Sequence, residues 1–282
     1  MATPAPDIGP GSAPKRVRPT TITLLGVAAV AAATLAYQVV LTRLFSAVMS
    51  YHFSFLAISI ALLGTGAGAL VVYVQQQRRG TDVVPEHALA TWCACFALAL
   101  ALVPVALVRI DLAHESAGFA LRLAAACALA AVPPFAAGSA ITLAITGYTR
   151  WVGTVYAFDL VGAGAGALLV VPALWRVPAP TLIVLLAVPV GVAAMLLPGH
   201  APAARRLGTA GVALAALLTV VSTRLPVLHL PTGYLVSDDT VTVAERWSPL
   251  SRVFGFDRPA TATAPRFAAV AYDRVYAPVP IV

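Results

Sequence analysis

Leu63-Gly-Thr-Gly-Ala-Gly-Ala-Leu70 and Val161-Gly-Ala-Gly-Ala-Gly-Ala-Leu168 carry nearly the same glycine signature, each inside a long apolar stretch. In both, the outer glycines stand four apart: Gly64 with Gly68, and Gly162 with Gly166. That spacing strips side-chain bulk from one helix face and lets a second helix come close in lipid. With Gly64 set on Gly162, an offset of 98, the windows 63–72 and 161–170 agree at seven positions of ten.

Outward from these two, the apolar stretches number seven: Ile22–Leu41, Phe53–Val74, Ala88–Val108, Phe119–Ile145, Val155–Leu174, Leu182–Leu197 and Leu207–Val221. Most are near the roughly 17–25 residues that cross a bilayer, and the short segments between them hold most of the charge. The fourth is long and contains Pro133-Pro134; the sixth and seventh are short. The 282 residues are 60% hydrophobic and only 10% charged, more apolar surface than one soluble core of this size uses. The fold expected is an all-α polytopic membrane protein of about seven transmembrane helices. Residues 1–21 form a basic N-terminal segment, 22–223 the membrane domain and 224–282 a β-leaning stub.

The two glycine helices are the second and fifth, three crossings apart, so they traverse in opposite directions. Homologous three-helix units would form an inverted repeat, an architecture many secondary transporters use. Independent convergence on a packing motif in an Ala- and Gly-rich chain accounts for the same match, and both readings stand at this level. Neither run is a dinucleotide fingerprint, because each lies within a span and not at a strand-to-helix turn.

The formal charge of +7 comes mostly from arginine, with Lys15 the only lysine. Lys15, Arg16, Arg18, Arg78, Arg79, Arg150, Arg205 and Arg206 fall on one side, against Arg43, Arg109, Arg122, Arg176 and Arg224 on the other. This bias predicts a multi-pass protein of the cell membrane with a cytoplasmic N-terminus. Basic residues scattered at helix ends suit lipid headgroups and not nucleic acid, which needs a clustered basic face. The first stretch is longer than a signal-peptide core and reads as a retained span.

Ionisable groups inside spans are costly and become functional candidates by default. Asp159, in Tyr156-Ala-Phe-Asp159, precedes the glycine face of the fifth stretch by three residues. Arg43 ends the first, where Gln38 and Thr42 add hydrogen-bonding capacity. One reading has Arg43, Asp159, Gln38 and Tyr156 lining an intramembrane polar pocket or pairing across the bundle. The other has Arg43 snorkelling to the interface and Asp159 near the first turn of its helix, where the dipole favours an anion. Cys93, Cys95 and Cys127 lie in apolar stretches without accompanying ligands, and His52, His87, His114, His200 and His229 lack paired spacing, so no metal site and no cofactor are expected. No nucleophile elbow, P-loop or HExxH occurs, and no catalytic residue is assigned.

After Arg224 charges become frequent. Thr240–Arg246 alternates as a half-buried strand does, Arg252–Phe256 and Phe267–Tyr272 read as further short strands, and Ser248-Pro249 reads as a turn.

Several segments, taken in order, resemble the N-terminal membrane region of bacterial membrane-bound spermidine synthase-like proteins. They are Gln38-Val-Val-Leu-Thr-Arg-Leu-Phe45, Ala61-Leu-Leu-Gly-Thr-Gly-Ala-Gly68, Pro134-Phe-Ala-Ala-Gly138, Val155-Tyr-Ala-Phe-Asp-Leu-Val-Gly-Ala-Gly-Ala-Gly166 and Glu245-Arg-Trp-Ser-Pro-Leu-Ser-Arg-Val253. In that family a polytopic bundle is fused to a polyamine aminopropyltransferase-like domain. The resemblance implies a membrane module that anchors such a domain and binds or conducts a small solute. In the soluble family a Ser-x-Tyr-Gln segment helps cover the substrate; the matching stretch here has Leu250 and Ser251 in place of the Tyr and Gln. A nucleoside-binding glycine loop, its ribose acid and a catalytic Asp do not occur through Val282, so the chain as it stands is expected not to be an enzyme. The partners expected are the lipid bilayer, a synthase-like soluble domain or a second copy of the chain. The alternative function is a secondary transporter built on an inverted repeat, with Asp159 and Arg43 as coupling or substrate groups.

Overall fold

The computed structural model describes residues 18–49, 53–79, 86–110, 112, 118–198, 202–222, 224, 225, 227 and 228, and the backbone of four strands between 241 and 279. Seven helices are long and apolar enough to cross a membrane. They are α1 (Thr21–Val48), α2 (Phe53–Arg79), α3 (Glu86–Leu107), α4 (Phe119–Gly147), α5 (Val152–Leu174), α6 (Ala179–Leu196) and α7 (Pro202–Ser222), with a 3-10 turn, Thr149–Trp151, leading into α5. The chain is an all-α polytopic protein over this region.

Two helix boundaries change the reading of the polar residues. Helix α1 runs seven residues beyond Leu41, because nothing in Thr42–Val48 breaks a helix and Leu44, Phe45 and Ala47 are buried. Its 28 residues span about 42 Å, longer than a hydrocarbon core. Arg43 therefore lies within a helix and not at its end. Helix α5 starts at Val152, earlier than expected, so Asp159 is two turns inside it. Helix α7 likewise begins at Pro202 and takes Arg205 and Arg206 into its first turns.

The helices form two layers. In the apolar windows of α1, α3, α4 and α6 between 50% and 56% of residues are buried, against 33% for α2 and 22% for α5 and α7. The first four make the centre, around Tyr37, Phe45, Phe96, Leu100 and Ile183, all almost wholly enclosed. The outer three present Leu62, Leu63 and Leu70 (α2), Leu160, Leu168 and Leu169 (α5), and Leu217 and Val220 (α7) away from the protein, as lipid-facing helices do.

Helix pairing obeys a two-fold rule. Helix α2 packs on α4 and α5 on α1; α3 packs on α4 and α6 on α1; α3 and α6 pack on each other. Exchanging α1 with α4, α2 with α5 and α3 with α6 converts each of the first four pairs into another of the set and leaves α3–α6 on itself. This is the connectivity of an inverted three-helix repeat, with α7 added across α3 and α6. The exchange is imperfect at one place: α1 packs broadly on α2, whereas α4 and α5 barely touch.

The C-terminal strands β1 (Val241–Trp247), β2 (Arg252–Arg258), β3 (Phe267–Tyr272) and β4 (Val275–Val279) form an antiparallel meander in that order. The register slips between Thr242 and Ala244. Strand β4 was not among the expected strands, and Pro278 lies within it. At the edge of the sheet, proline's missing N–H costs no ladder bond if that N–H side faces outward. The Ser248-Pro249 turn and the residues Leu250 and Ser251 lie outside the described residues.

Candidate functional site

Each glycine signature meets the backbone of a different central helix. On α2, a Cβ at Gly64 would come 2.6 Å from the Ala131 carbonyl oxygen and 2.9 Å from Pro134, and one at Gly68 would overlap the Phe135 carbonyl. On α5, side chains at Gly162 and Gly166 would overlap the backbones of Ala28 and Ala32. In both pairs the numbers rise together, 64 to 68 with 131 to 135 and 162 to 166 with 28 to 32, so each glycine helix runs parallel to its partner. Alternating crossings require this of helices two and four and of helices one and five. The middle glycines, Gly66 and Gly164, have nothing near their Cβ positions and face outward.

This register locates the four polar candidates. Gly162 lies against Ala28, and Arg43 is fifteen residues further along α1, about 22 Å up the axis at 1.5 Å per residue. Asp159 precedes Gly162 on a parallel helix and so lies on the opposite side of that contact. Arg43 and Asp159 sit towards opposite ends of the bundle and cannot pair or share one pocket. Gln38 lies at the Arg43 end and is half-buried; Tyr156 lies at the Asp159 end and is exposed. Asp159 stands seven residues into α5, about two turns from its start, where the helix dipole contributes little. Asp159 is half-buried, and its Oδ1 is shielded from solvent with no hydrogen-bond partner among the described residues. Arg43 is half-buried, and its carbonyl accepts from the Ser46 hydroxyl at 3.0 Å.

The best-placed polar group in the centre is one that the ionisable-residue search passes over. Tyr37 is completely buried in α1, and its hydroxyl donates to the Ala130 carbonyl of α4 at 2.9 Å. Proline has no N–H, so Pro134 leaves the carbonyl four residues earlier, that of Ala130, without its helical partner. Tyr37 supplies the missing donor, as lipid-embedded backbone demands. Pro133-Pro134 was the available signal: two prolines in one span call for donors on a neighbouring helix.

Other hydroxyls at membrane depth are spent locally. Thr34 donates to Val30, Thr65 to Ala61 and Ser139 to Phe135, each to a carbonyl of its own helix. At one end of the bundle Gln76 of α2 donates to Thr146 of α4 at 2.9 Å. Arg18, just before α1, stacks over the Trp151 ring at 4.9 Å and joins the starts of α1 and α5.

Between the central helices lies an apolar seam with no room for a water molecule, bordered by Gly26, Val27 and Val30 (α1), Leu89 and Cys93 (α3), Ala140 and Ile141 (α4) and Leu197. Cys93 is buried and Cys95 half-buried, and among the described residues no three His, Cys, Asp or Glu side chains cluster. His87 is exposed; His52, His114, His200 and His229 lie outside the described residues. No protein-family model, curated protein or solved structure matches this chain.

Proposed function

We propose that the chain is the membrane module of a spermidine synthase-like protein, anchoring a soluble domain to the bilayer. The observation that carries this reading is the join of a seven-helix bundle to an antiparallel meander, the order of parts that the family resemblance implies. The bundle interior supports an anchoring role, since the buried hydroxyls of Tyr37 and Ser139 are spent on backbone carbonyls and the seam between the central helices is apolar. Affinity purification of the bundle from its native membranes tests the reading. Peptides of a nucleoside-binding βαβ domain should be recovered with it, on the same polypeptide or tightly associated. Recovery of the bundle without such a domain overturns the proposal.

The two-fold pairing of α1–α3 with α4–α6 favours a second reading, a secondary transporter on an inverted repeat. In that reading Asp159 and Arg43 act separately, one towards each end, and not as a pair. Reconstituted protein would then move labelled spermidine across liposomes, with flux falling sharply in Asp159→Asn.

A further inference from the structure

Among the described helices the acids are Glu86, which opens α3, and Asp159, which stands within α5. Asp159 lies four residues after the buried Val155 and three before Gly162, which meets α1. By the parallel register that sets Gly162 on Ala28, it is level with Leu25 of α1, about 10 Å inside the start of α5. Helix α5 packs on α1 and only slightly on α4 and α6, so the flank that carries the half-buried Asp159 borders the α1 seam and opens to lipid. One carboxylate oxygen is enclosed without a hydrogen-bond donor, and the other is not enclosed. Tyr156, its neighbour one turn earlier, is exposed.

The described residues supply no counter-charge at this depth. Arg18 is held over Trp151, eight residues before Asp159 and about 12 Å nearer the helix starts, and Arg150 is one residue further. Arg43 lies towards the other end of the bundle. A metal ion would need several oxygen ligands, yet no three His, Cys, Asp or Glu side chains cluster among the described residues, and the hydroxyls of Thr20 and Thr23 bond to each other. An ionisable group inside a span calls for a partner, and the open approach to Asp159 is from the bilayer.

We infer that Asp159 binds the ammonium head of a single-chain amphiphilic amine that enters sideways from the lipid. The head donates N–H to the open carboxylate oxygen, a charge-assisted bond that a tetraalkylammonium cannot make. Its hydrocarbon tail runs on past Ala163 and Ala167, four and eight residues further along the same flank, both small and half-buried. The inference deepens the transporter reading by naming a ligand class for Asp159.

Thermal aggregation in dodecyl maltoside micelles tests it, with dodecylammonium chloride as the probe. At several times its dissociation constant the probe should raise the onset of the unaltered chain by about 3 °C. Dodecyltrimethylammonium, with the same charge and tail but no N–H, should give less than half that rise. Asp159→Asn should abolish the rise, and Asp159→Glu should keep it. No rise in the unaltered chain, an equal rise with the trimethylammonium probe, or an equal rise in Asp159→Asn would overturn the inference. The head-group comparison uses the unaltered chain, so it decides the matter even where a substitution lowers the onset by itself. Amine binding without spermidine flux would remove the transporter reading and leave the site; flux without amine binding would do the reverse.

Discussion

At the scale of single residues, glycine and proline set the demands that other residues meet. A side chain at Gly166 would occupy the space of the Ala32 carbonyl, so α1 and α5 approach as closely as backbones can. In lipid no hydrophobic force between helices compensates for separation, and the dispersion contacts at such a seam are lost outright. Gly166→Leu should destabilise the bundle by about 2 kcal/mol or more, at the upper end for overpacking, because backbone cannot yield as a side chain does. Its thermal aggregation in detergent should begin well below wild type, and Gly164→Leu, at an outward glycine with open space around it, should leave the onset unchanged. Equal onsets for Gly166→Leu and wild type would place that seam elsewhere. Pro134 makes the converse demand, a donor for the Ala130 carbonyl. Tyr37→Phe should cost about 1 kcal/mol, read as an earlier aggregation onset in the same assay.

At the scale of elements, the existence of the seven helices was legible because length and continuous apolarity suffice for a span. Their ends were less so. The run Thr42–Val48 contains Thr42, Arg43 and Ser46, which lower its apolarity, yet α1 continues because burial of Leu44, Phe45 and Ala47 within the protein decides the matter. The glycine faces were visible as GxxxG, but not the choice of partner, since small residues state only that some helix comes near. Alanines at 28 and 32 and the Ala131 and Phe135 carbonyls carry no sequence mark of that role. The polar site was read from ionisable residues, which the helix register then separates, while Tyr37 is an ordinary aromatic until the orphaned carbonyl across from it is known. Element packing also yields a prediction. Helix α7 seats Gly208 against Gly191, Ala194 and Met195 of α6, and Gly211 against Ala97 of α3. Gly211→Leu should loosen α7 from both helices. Limited proteolysis in detergent should then cut within Pro202–Ser222 faster than in wild type, with the central helices protected in both.

At the scale of the whole molecule, parallel packing of α1 with α5 and of α2 with α4 constrains topology independently of charge. Helices that pack in parallel begin on the same side, and the contact of Arg18 with Trp151 puts the starts of α1 and α5 together. The segments around Gln77, Thr149 and Ala203 therefore share a face with Arg18, and those around Pro178 and Leu225 occupy the opposite one, as seven successive crossings require. The charge bias predicts which face is which: the side richer in Lys and Arg is the one expected in the cytoplasm. Single cysteines at Gln77, Thr149 and Ala203, all exposed positions, should resist a membrane-impermeant thiol reagent added to intact cells, in a background lacking the native cysteines. Cysteines at the exposed positions Pro178 and Leu225 should react. Reversal of all five would invert the molecule without altering its fold, because helix packing is indifferent to which face is inside. A mixed result within the first three would break the alternation itself, and with it the assignment of α2–α4 and α1–α5 as parallel pairs.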